Sequence, residues 1–498
     1  MRGRVLTAAA ALLAVCVSMA AARAQARPLV TAVYFDPVAQ PGVTGAVASA
    51  RIASAGASAE RLTVYWSRIA PDTRPAQWNP ADPGDSHYQW GGLDGIVRAA
   101  RARHLQVLIT IMAAPSWAQT GDPRPFPNSY LPSPAEFAKF TTAIAKRYSG
   151  SFRGLPRVRF WQAWNEPNLS LYLVPQLQDG KPVAPGWYRK MLNAFATAVR
   201  KVHRDNVVVV GGLAPFRDLT GSVVAQDPDW GPLSFMRELL CMSKSLKPTC
   251  KTRVMFDVWA QHPYTSGSPL HSANLPNDVS LGDLPKVVKL LRAAERAGHI
   301  ASNGRPRLWV TEFSWDSSPP DPKAVPMPLL SRWTAEALWR MWRNQVELVT
   351  WLMIRDDAVN EGLLQSGLWF RGATVQADQP KPMLEAFRFP VTAFVRSGRV
   401  AVWGRTPAGR RGRVLIQQSF SGGWKNLGTL TSDRDGIFQH RYRAARTGAI
   451  RARLLAGGEK SIPFSLTPVP DQFFNPFGSE TKFNPNRKAK ARAARTSR

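Results

Sequence analysis

The sequence predicts an α/β fold: a (β/α)8 barrel followed by a small C-terminal β-sandwich. The barrel is predicted by eight short, continuously apolar runs, typical of parallel strands buried on both faces, which alternate with amphipathic helical segments. The sandwich is predicted by a change near residue 390, after which short runs are separated by Gly, Asp and Ser turns. The predicted barrel strands cover residues 30–35, 61–66, 106–112, 158–164, 207–211, 256–261, 308–312 and 348–353.

The helices are predicted from apolar spacing and from end signals. Residues 92–104 carry apolar side chains on one helical face. Ser133 and Glu136 form a capping-box pattern with Pro134 at the first helical position, which predicts a helix that ends near residue 148. Further amphipathic segments cover residues 187–203, 284–297 and 329–343.

The two ends of the chain differ from the rest in composition. Arg2 and Arg4 precede an apolar run and small residues around a cleavage point, which is typical of a secretory signal peptide, with a membrane anchor as the alternative. Residues 482–498 hold seven Lys or Arg and no acidic residue. We therefore expect a secreted or cell-wall-associated protein. The expected division is a signal peptide at 1–26, the barrel at 27–390, the sandwich at 391–467 and a disordered basic tail at 468–498.

Cysteine usage fits export. Of the three cysteines, Cys16 belongs to the expected signal peptide, which leaves Cys241 and Cys250 on either side of a loop-like segment. Exported proteins form disulfides, so we expect one between these two residues. The alternative is a pair of free thiols.

The formal net charge of +31 admits nucleic acid, anionic glycans or an acidic membrane surface as partners. No nucleic-acid-binding motif is found in the sequence, which argues against the first of these. An Arg-rich composition that serves solubility is the favoured interpretation. The basic tail is a candidate contact for an anionic cell wall or surface glycan, with a solvated tail as the alternative, and we expect a monomer.

Ionisable groups stand at the ends of three predicted strands. Because the C-terminal ends of barrel strands meet on one face, where catalytic residues lie, we expect these groups to share one site. Two of the groups are carboxylates, the pair that cleavage of a glycosidic bond requires. The three motifs are Trp164-Asn165-Glu166-Pro167, His262-Pro263-Tyr264 and Thr311-Glu312-Phe313.

These motifs resemble the strand-four, strand-six and strand-seven signatures of the clan A glycoside hydrolases, in particular the cellulase-like fifth family and the xylosidase-like thirty-ninth. The resemblance covers about residues 28–395. It implies a retaining glycosidase that cleaves the O-glycosidic bonds of a poly- or oligosaccharide, and we expect these bonds to be β-linked. It also implies that Glu166 is the acid/base and Glu312 the nucleophile of a double displacement. A salt-bridged rim carboxylate is the alternative for each.

Other residues are expected to bind substrate or to hold the glutamates. Asn165 is placed to donate to a sugar hydroxyl, and Tyr264 to hold Glu312 ionised. His262 is expected to bind sugar or to hold Glu166, with a core histidine as the alternative. Arg61 resembles the clan's strand-two arginine that pairs with the nucleophile, and Arg68 is its rival.

Sugars stack on aromatic rings, and the chain has 18 tryptophans. Trp351, at the end of the last barrel strand, resembles the clan's platform under the reacting sugar. Trp117 and Trp315 lie near predicted rim positions. The alternative for each is a place in the core.

The sequence contains no metal-ligand spacing and no glycine-rich phosphate cradle after a strand, and the expected mechanism needs no cofactor. Two alternatives to the glycosidase remain. One is a catalytically silent glycan-binding or cell-wall protein that uses the same groove. The other is a transglycosylase, which shares the covalent intermediate.

Overall fold

The computed structural model describes residues 27–120, 128–217, 229–358 and 364–474. The expected signal peptide and most of the expected basic tail lie outside the described residues.

Eight parallel strands close into a barrel in which each strand pairs with its neighbours in chain order and the last pairs with the first. This topology confirms the predicted barrel. The strand bounds differ from the predicted ones by two residues or fewer at each end. The strands are β1 Val30–Phe35, β2 Ala59–Tyr65, β3 Gln106–Met112, β4 Phe160–Ala163, β5 Val207–Val210, β6 Val258–Gln261, β7 Arg307–Phe313 and β8 Val346–Trp351.

At least one helix follows each barrel strand, and β2 is followed by an additional four-residue helix, Trp66–Ile69. The sequence missed α1, α5 and α8, since α1 is rich in Ala, Gly and Ser while α5 and α8 are only 8 and 6 residues long. Ser133 caps α3 by accepting from the backbone N–H of Glu136, as expected, but the Glu136 carboxylate pairs with Arg74 and Lys139. The helices are α1 Gly45–Ser54, α2 Leu93–Ala102, α3 Pro134–Arg147, α4 Ala184–Val202, α5 Pro232–Leu239, α6 Leu284–Arg296, α7 Met327–Arg343 and α8 Met383–Arg388.

Side-chain alternation along the barrel strands separates two cores. Leu108, Val209, Ala260 and Trp309 belong to a cluster that fills the barrel axis. The alternate residues pack between the strands and the helices. The polar side chains that face inward near the C-terminal ends of the strands therefore pack on the C-terminal side of this apolar cluster.

Two antiparallel sheets form the C-terminal sandwich, as the sequence predicts. One sheet has the strand order β9-β10-β13 and the other β12-β11-β14-β15, and their inner faces share one apolar core. The sequence missed β9 and β12; β12 is mostly exposed and rich in polar residues and Gly. The strands are β9 Val391–Arg396, β10 Arg399–Arg405, β11 Arg413–Phe420, β12 Gly423–Thr431, β13 Ile437–Tyr442, β14 Ala449–Leu454 and β15 Phe464–Ser465.

The described part of the expected tail is not disordered throughout, which corrects its boundary. Asp471 accepts from the backbone N–H of Ser268 at 3.0 Å, and the N–H of Phe474 donates to the carbonyl of Ser266 at 2.6 Å. The Phe474 ring packs 5.8 Å from Trp333. Hydrogen bonds and an aromatic contact thus hold the chain against the barrel through residue 474, beyond the expected start of the tail at 468.

Cys241 and Cys250 form a disulfide with their Cα atoms 5.3 Å apart. It closes the segment that follows α5. Among the described helices, none combines the length and the apolar character that crossing a membrane requires.

Candidate active site

Two glutamates face each other at the C-terminal ends of β4 and β7. Glu166 lies three residues after the end of β4 and is 5% exposed, while Glu312 lies near the end of β7 and is partly buried. One carboxylate oxygen of each glutamate lies within 4.8 Å of the other and of a ring nitrogen of His262. This is the end of a barrel at which catalytic residues lie. The structure therefore brings the three expected residues into one cluster.

The backbone after β4 is strained where it presents Glu166. Trp164 and Glu166 have φ angles of 71° and 37°, in the left-handed region that is costly for non-glycine residues. Two contacts hold this turn: the indole N–H of Trp164 donates to the carbonyl of Tyr172 at 2.7 Å, and the N–H of Glu166 donates to the carbonyl of Gly212 at 3.0 Å. The turn therefore aims the acid across the barrel mouth.

A β-bulge aims Glu312. Between Val310 and Phe313, β7 has one more residue than the facing part of β8. Such an extra residue interrupts the strict alternation of side chains. As a result, the successive residues Thr311 and Glu312 both bond to groups inside the barrel.

Arg61 is the arginine that pairs with the nucleophile candidate. It is 1% exposed, its Nη1 contacts Oε1 of Glu312 at 2.5 Å, and its Nη2 donates to Oδ1 of Asn165 at 3.0 Å. The rival Arg68 is exposed and lies over the ring of Tyr65. Although Arg61 starts deep in β2, its long side chain reaches the catalytic end.

A polar layer below the glutamates fixes Arg61. Its Nε donates to Thr110 and to Gln162, both at 3.0 Å. The Gln162 amide in turn donates to Thr311 at 3.2 Å. Sequence reasoning missed these residues, because a single polar residue inside an apolar strand has no recognisable pattern.

His262 and Tyr264 hold one glutamate each. His262 Nδ1 lies 2.7 Å from Glu166 and 3.6 Å from Glu312, and its Nε2 lies 2.9 Å from Thr311. The Tyr264 hydroxyl donates to Glu312 Oε2 at 3.1 Å. The histidine thus fixes the acid, while the phenol and Arg61 bind opposite oxygens of Glu312.

These surroundings shift the two carboxyl groups in opposite directions. Burial raises the pKa of Glu166, helped by the nearby charge of Glu312, although His262 and Arg61 oppose the shift. Burial acts in the same sense on Glu312, but the charges of His262 and Arg61 and the hydrogen bonds from Arg61 and Tyr264 outweigh it and lower its pKa. Glu166 is therefore the group that retains a proton, and Glu312 the one that loses it.

Gly212 makes room for the histidine. A Cβ at this position would lie 1.9 Å from Nε2 of His262. Gly212 follows β5, and its carbonyl also receives the N–H of Glu166. The sequence shows Gly211-Gly212 at this strand end, a signal of close backbone approach that could have identified the position.

Next to the glutamate pair, tyrosine side chains line the catalytic end of the barrel at β1 and β2. Tyr34 and Tyr65 both donate to Oδ2 of Asp36, at 3.0 and 2.6 Å, and Tyr34 accepts from Thr63 at 3.1 Å. The Arg61 guanidinium lies 5.1 Å from the centre of the Tyr34 ring. Burial and the charge of Asp36 raise the pKa values of both phenols, which keeps them neutral. These residues were also missed by sequence reasoning.

The expectation that Trp351 is a sugar platform is wrong. The residue is 1% exposed, its indole N–H donates to the carbonyl of Ser366 at 2.8 Å, and its ring packs 6.0 Å from Phe387 of α8. It therefore lies in the layer between strands and helices, since alternation along β8 turns it away from the barrel axis.

The other two tryptophans are also held by protein contacts. Trp315 is 1% exposed and donates to the carbonyl of Gly267, so it offers no free face, which corrects that expectation. Trp117 is half-buried, donates to the carbonyl of Pro71 at 2.8 Å and packs edge-on to Trp78 at 5.0 Å. It joins the loop after β2 to the loop after β3, both on the catalytic face.

Aliphatic side chains follow Trp351 at the mouth of β8. Leu352 and Met353 cluster with Tyr264, and Tyr34 and Leu364 pack against them. This cluster borders the phenol that contacts Glu312. The apolar surface beside the nucleophile thus comes from tyrosines and aliphatic residues.

The spacing of Glu166, His262 and Glu312 would also suit three ligands of a metal ion. However, the Arg61 guanidinium already bonds to Glu312, and the ring of His262 already contacts Glu166. A metal ion would have to displace the guanidinium or tolerate its charge. The donor set therefore fits a carboxylate pair better than a metal centre.

A (β/α)8 barrel with paired glutamates after its fourth strand and in its seventh defines a class, the TIM-barrel glycoside hydrolases. Within that class, the sequence model of the cellulase family, glycosyl hydrolase family 5, matches residues 29–315. The chain belongs to this family. The match confirms the resemblance to the clan A glycoside hydrolases.

No curated protein matches the sequence. Among solved structures, a family 39 glycoside hydrolase from the gut symbiont Bacteroides cellulosilyticus WH2 is 15% identical, with 84% of this chain and 81% of that chain covered and a TM-score of 0.51. A GH30 endoxylanase from Clostridium papyrosolvens C71 is 11% identical over 84% of this chain and 94% of that chain, with a TM-score of 0.44. The first of these likenesses shows the shared fold.

Proposed function

We propose that the chain is a secreted, retaining glycosidase that hydrolyses β-linked O-glycosidic bonds of a poly- or oligosaccharide. The observation that carries the proposal is the opposite direction of the pKa shifts of two carboxyl groups, with one oxygen of each within 4.8 Å of the other. Retaining enzymes hold their carboxyl groups about 5–5.5 Å apart, whereas inverting enzymes leave about 6.5–9.5 Å for a water. The close pair supports retention.

In the first step, Glu312 attacks the anomeric carbon while Glu166 gives its proton to the departing glycosidic oxygen. The bond to the leaving alcohol breaks, and an ester forms between the sugar and Glu312. The lowered pKa of Glu312 favours an ionised nucleophile, and the raised pKa of Glu166 favours a protonated acid. This electrostatic asymmetry supports the proposed roles independently of the family match.

In the second step, Glu166 acts as a base. Forming the ester removes the negative charge of Glu312, which is one of the causes that raise the pKa of Glu166. The pKa of Glu166 then falls, so its carboxylate takes a proton from water. The water oxygen attacks the anomeric carbon and releases Glu312.

Asn165 and Arg61 position the sugar and the nucleophile together. The Asn165 oxygen is bound by Arg61, which leaves its amide N–H groups as donors for a sugar hydroxyl. The same guanidinium contacts Glu312. The hydrogen bond to the sugar and the aim of the nucleophile are therefore coupled through one side chain.

The other parts of the proposal rest on separate support. The disulfide between Cys241 and Cys250 fits an oxidising compartment, and so supports export by the N-terminal segment. Membership of the cellulase family supports a β-linked poly- or oligosaccharide as substrate. Contact of the basic tail with an anionic cell wall and a monomeric state are further parts of the proposal.

A panel of polysaccharides and aryl β-glycosides tests the proposal, with the Glu312→Gln variant as the inactive control. Proton NMR during the first turnovers should show the product with the β configuration of the substrate, before mutarotation mixes the anomers. An α product at early times would establish inversion. Equal release by wild type and the Glu312→Gln variant would place catalysis elsewhere.

A further inference from the structure

The cleft between the barrel base and the sandwich is lined by arginines. Its volume is about 460 Å³, within the range of ligand sites, and its lining includes Arg27, Arg343, Arg396 and Arg441. Arg343, at the end of α7, directly precedes the turn into β8. The cleft therefore lies at the N-terminal end of the barrel, opposite the two glutamates.

Sheet register directs two of these arginines into the cleft. Ala401 of β10 pairs with Phe394 of β9 and with Arg441 of β13, so the three side chains share one face. Arg396, two residues after Phe394, lies on the same face. Phe394 packs 4.7 Å from Trp339 of α7, which identifies this face as the one toward the barrel.

Three guanidinium groups surround one indole ring. Arg343, Arg340 and Arg396 lie 5.0, 5.3 and 5.4 Å from the centre of the Trp339 ring. Arg340 is paired with Glu336 at 2.7 Å. The other two belong to the exposed wall of the cleft.

The four lining arginines form no ion pair with a described residue. Burial and the charges of Arg396 and Arg340 lower the pKa of Arg343, as expected for a crowded cation. The dipole of α7 favours cations at its C-terminal end, which accounts for Arg340 and Arg343. It does not account for Arg396 and Arg441, which come from the sheet.

We propose that this cleft binds an acidic polysaccharide through carboxylates carried on successive sugars. Guanidinium groups bind carboxylates with two parallel hydrogen bonds. The four arginines come from four separate parts of the chain, namely the segment before β1, α7, β9 and β13, so the cleft offers more than one position for a carboxylate. The site lies opposite the catalytic face, so a bound chain anchors the enzyme without blocking Glu166 or Glu312. This inference is independent of the glycosidase assignment.

The test measures binding of polygalacturonate to the full chain by calorimetry at about 0.15 M salt, a concentration at which long-range charge effects are screened. Every protein carries Glu312→Gln, so that turnover cannot interfere. The variant Arg343→Gln/Arg396→Gln should bind about tenfold more weakly or worse, as expected for the loss of charge-assisted contacts. The matched control, Arg101→Gln/Arg103→Gln, removes the same charge from exposed positions at the end of α2 and should change affinity by less than about twofold.

Four comparisons address other ligands and the tail. The fully methyl-esterified polymer and monomeric galacturonate should bind at least about tenfold more weakly than polygalacturonate. Oligothymidylate of equal charge should also bind more weakly. Removal of residues 475–498 should leave cleft-dependent binding in place. Thermal unfolding checks the fold, and Arg441→Gln, at an exposed position of β13, repeats the test if the double variant is unstable.

The proposal is overturned by equal losses in the two double variants, which would show a general charge effect. It is also overturned if the esterified polymer, the monomer or oligothymidylate binds as tightly as polygalacturonate. Loss of binding on tail removal, with the cleft variant unaffected, would assign the interaction to the tail instead.

Discussion

Arg61 and Glu312 form a buried ion pair that spans the barrel from β2 to β7, with 2.5 Å between Nη1 and Oε1. The second terminal nitrogen of Arg61 binds Asn165, the neighbour of Glu166 in the chain. One cation therefore connects the two motifs that supply the catalytic carboxyl groups. The pair stabilises the ionised nucleophile, and its position depends on Thr110 and Gln162 beneath it.

Replacing Arg61 by Gln should lower kcat/KM by about 100-fold or more, since it leaves Glu312 buried without its cation and releases Asn165. Arg68→Gln is the matched control and should change kcat/KM by less than about twofold, because Arg68 is exposed. Steady-state kinetics on one aryl glycoside compares the two variants. A larger loss in the Arg68 variant would contradict the assignment.

The Tyr264→Phe variant should shift one side of the pH profile. The phenol lowers the pKa of Glu312, so its removal raises that pKa, and a higher pH is then needed to ionise the nucleophile. The acid limb of kcat/KM should move to higher pH, while the alkaline limb, set by loss of the proton from Glu166, should stay in place. We expect the maximum rate to fall about tenfold, because the variant loses one hydrogen bond to a charged group. Movement of the alkaline limb alone would show that Tyr264 acts on Glu166.

The barrel and the two glutamates could be predicted because they depend on short-range signals: apolar runs of strand length and a polar residue where each run ends. The side of the barrel wall on which the Trp351 side chain lies could not be predicted in this way. The pairing of β7 with β8 shifts register near Leu308 and Val346, and a shift of one residue reverses which side chains point inward. Sequence also could not show that Gln162 and Thr110 support Arg61, because that contact joins three strands.

Gly212→Ala should abolish most activity while leaving the fold intact. A methyl group at this position would meet Nε2 of His262 at 1.9 Å, so the ring must move away from Glu166. Gly95→Ala in α2 is the matched control, since nothing lies within 4 Å of its Cβ position and alanine favours a helix by about 0.5–1 kcal/mol. Kinetics and thermal unfolding of both variants separate the two effects. Normal activity in the Gly212 variant would show that the position of His262 is not essential.

Removing the disulfide should cost stability and not chemistry. The double variant Cys241→Ser/Cys250→Ser opens a short loop with a sequence separation of 9, for which we expect a loss of about 2–3 kcal/mol in the free energy of unfolding. Urea unfolding of the variant and the wild type measures this loss, and kcat at a temperature where both are folded should be unchanged. An equal free energy of unfolding would show that the loop is held by other contacts.

The two glutamates can be told apart by chemical rescue with azide. In Glu166→Gly, an activated phenol substrate needs little protonation, so the first step proceeds, while loss of the acid/base slows turnover by about 10²–10⁴-fold. Hydrolysis of the ester on Glu312 then stalls for lack of a base. Azide needs no base, so it should attack the ester and yield a β-glycosyl azide from a β-glycoside, with configuration retained.

The matched variant Glu312→Gly lacks the nucleophile, so no ester forms. Azide that enters the vacated space should displace the phenol directly, with Glu166 still present as the acid, and yield the inverted α-glycosyl azide. NMR of the anomeric proton distinguishes the two products. Because each product depends on which carboxylate remains, an α-azide from the Glu166 variant and a β-azide from the Glu312 variant would reverse the assigned roles. Full activity in either variant without azide would remove that residue from the mechanism.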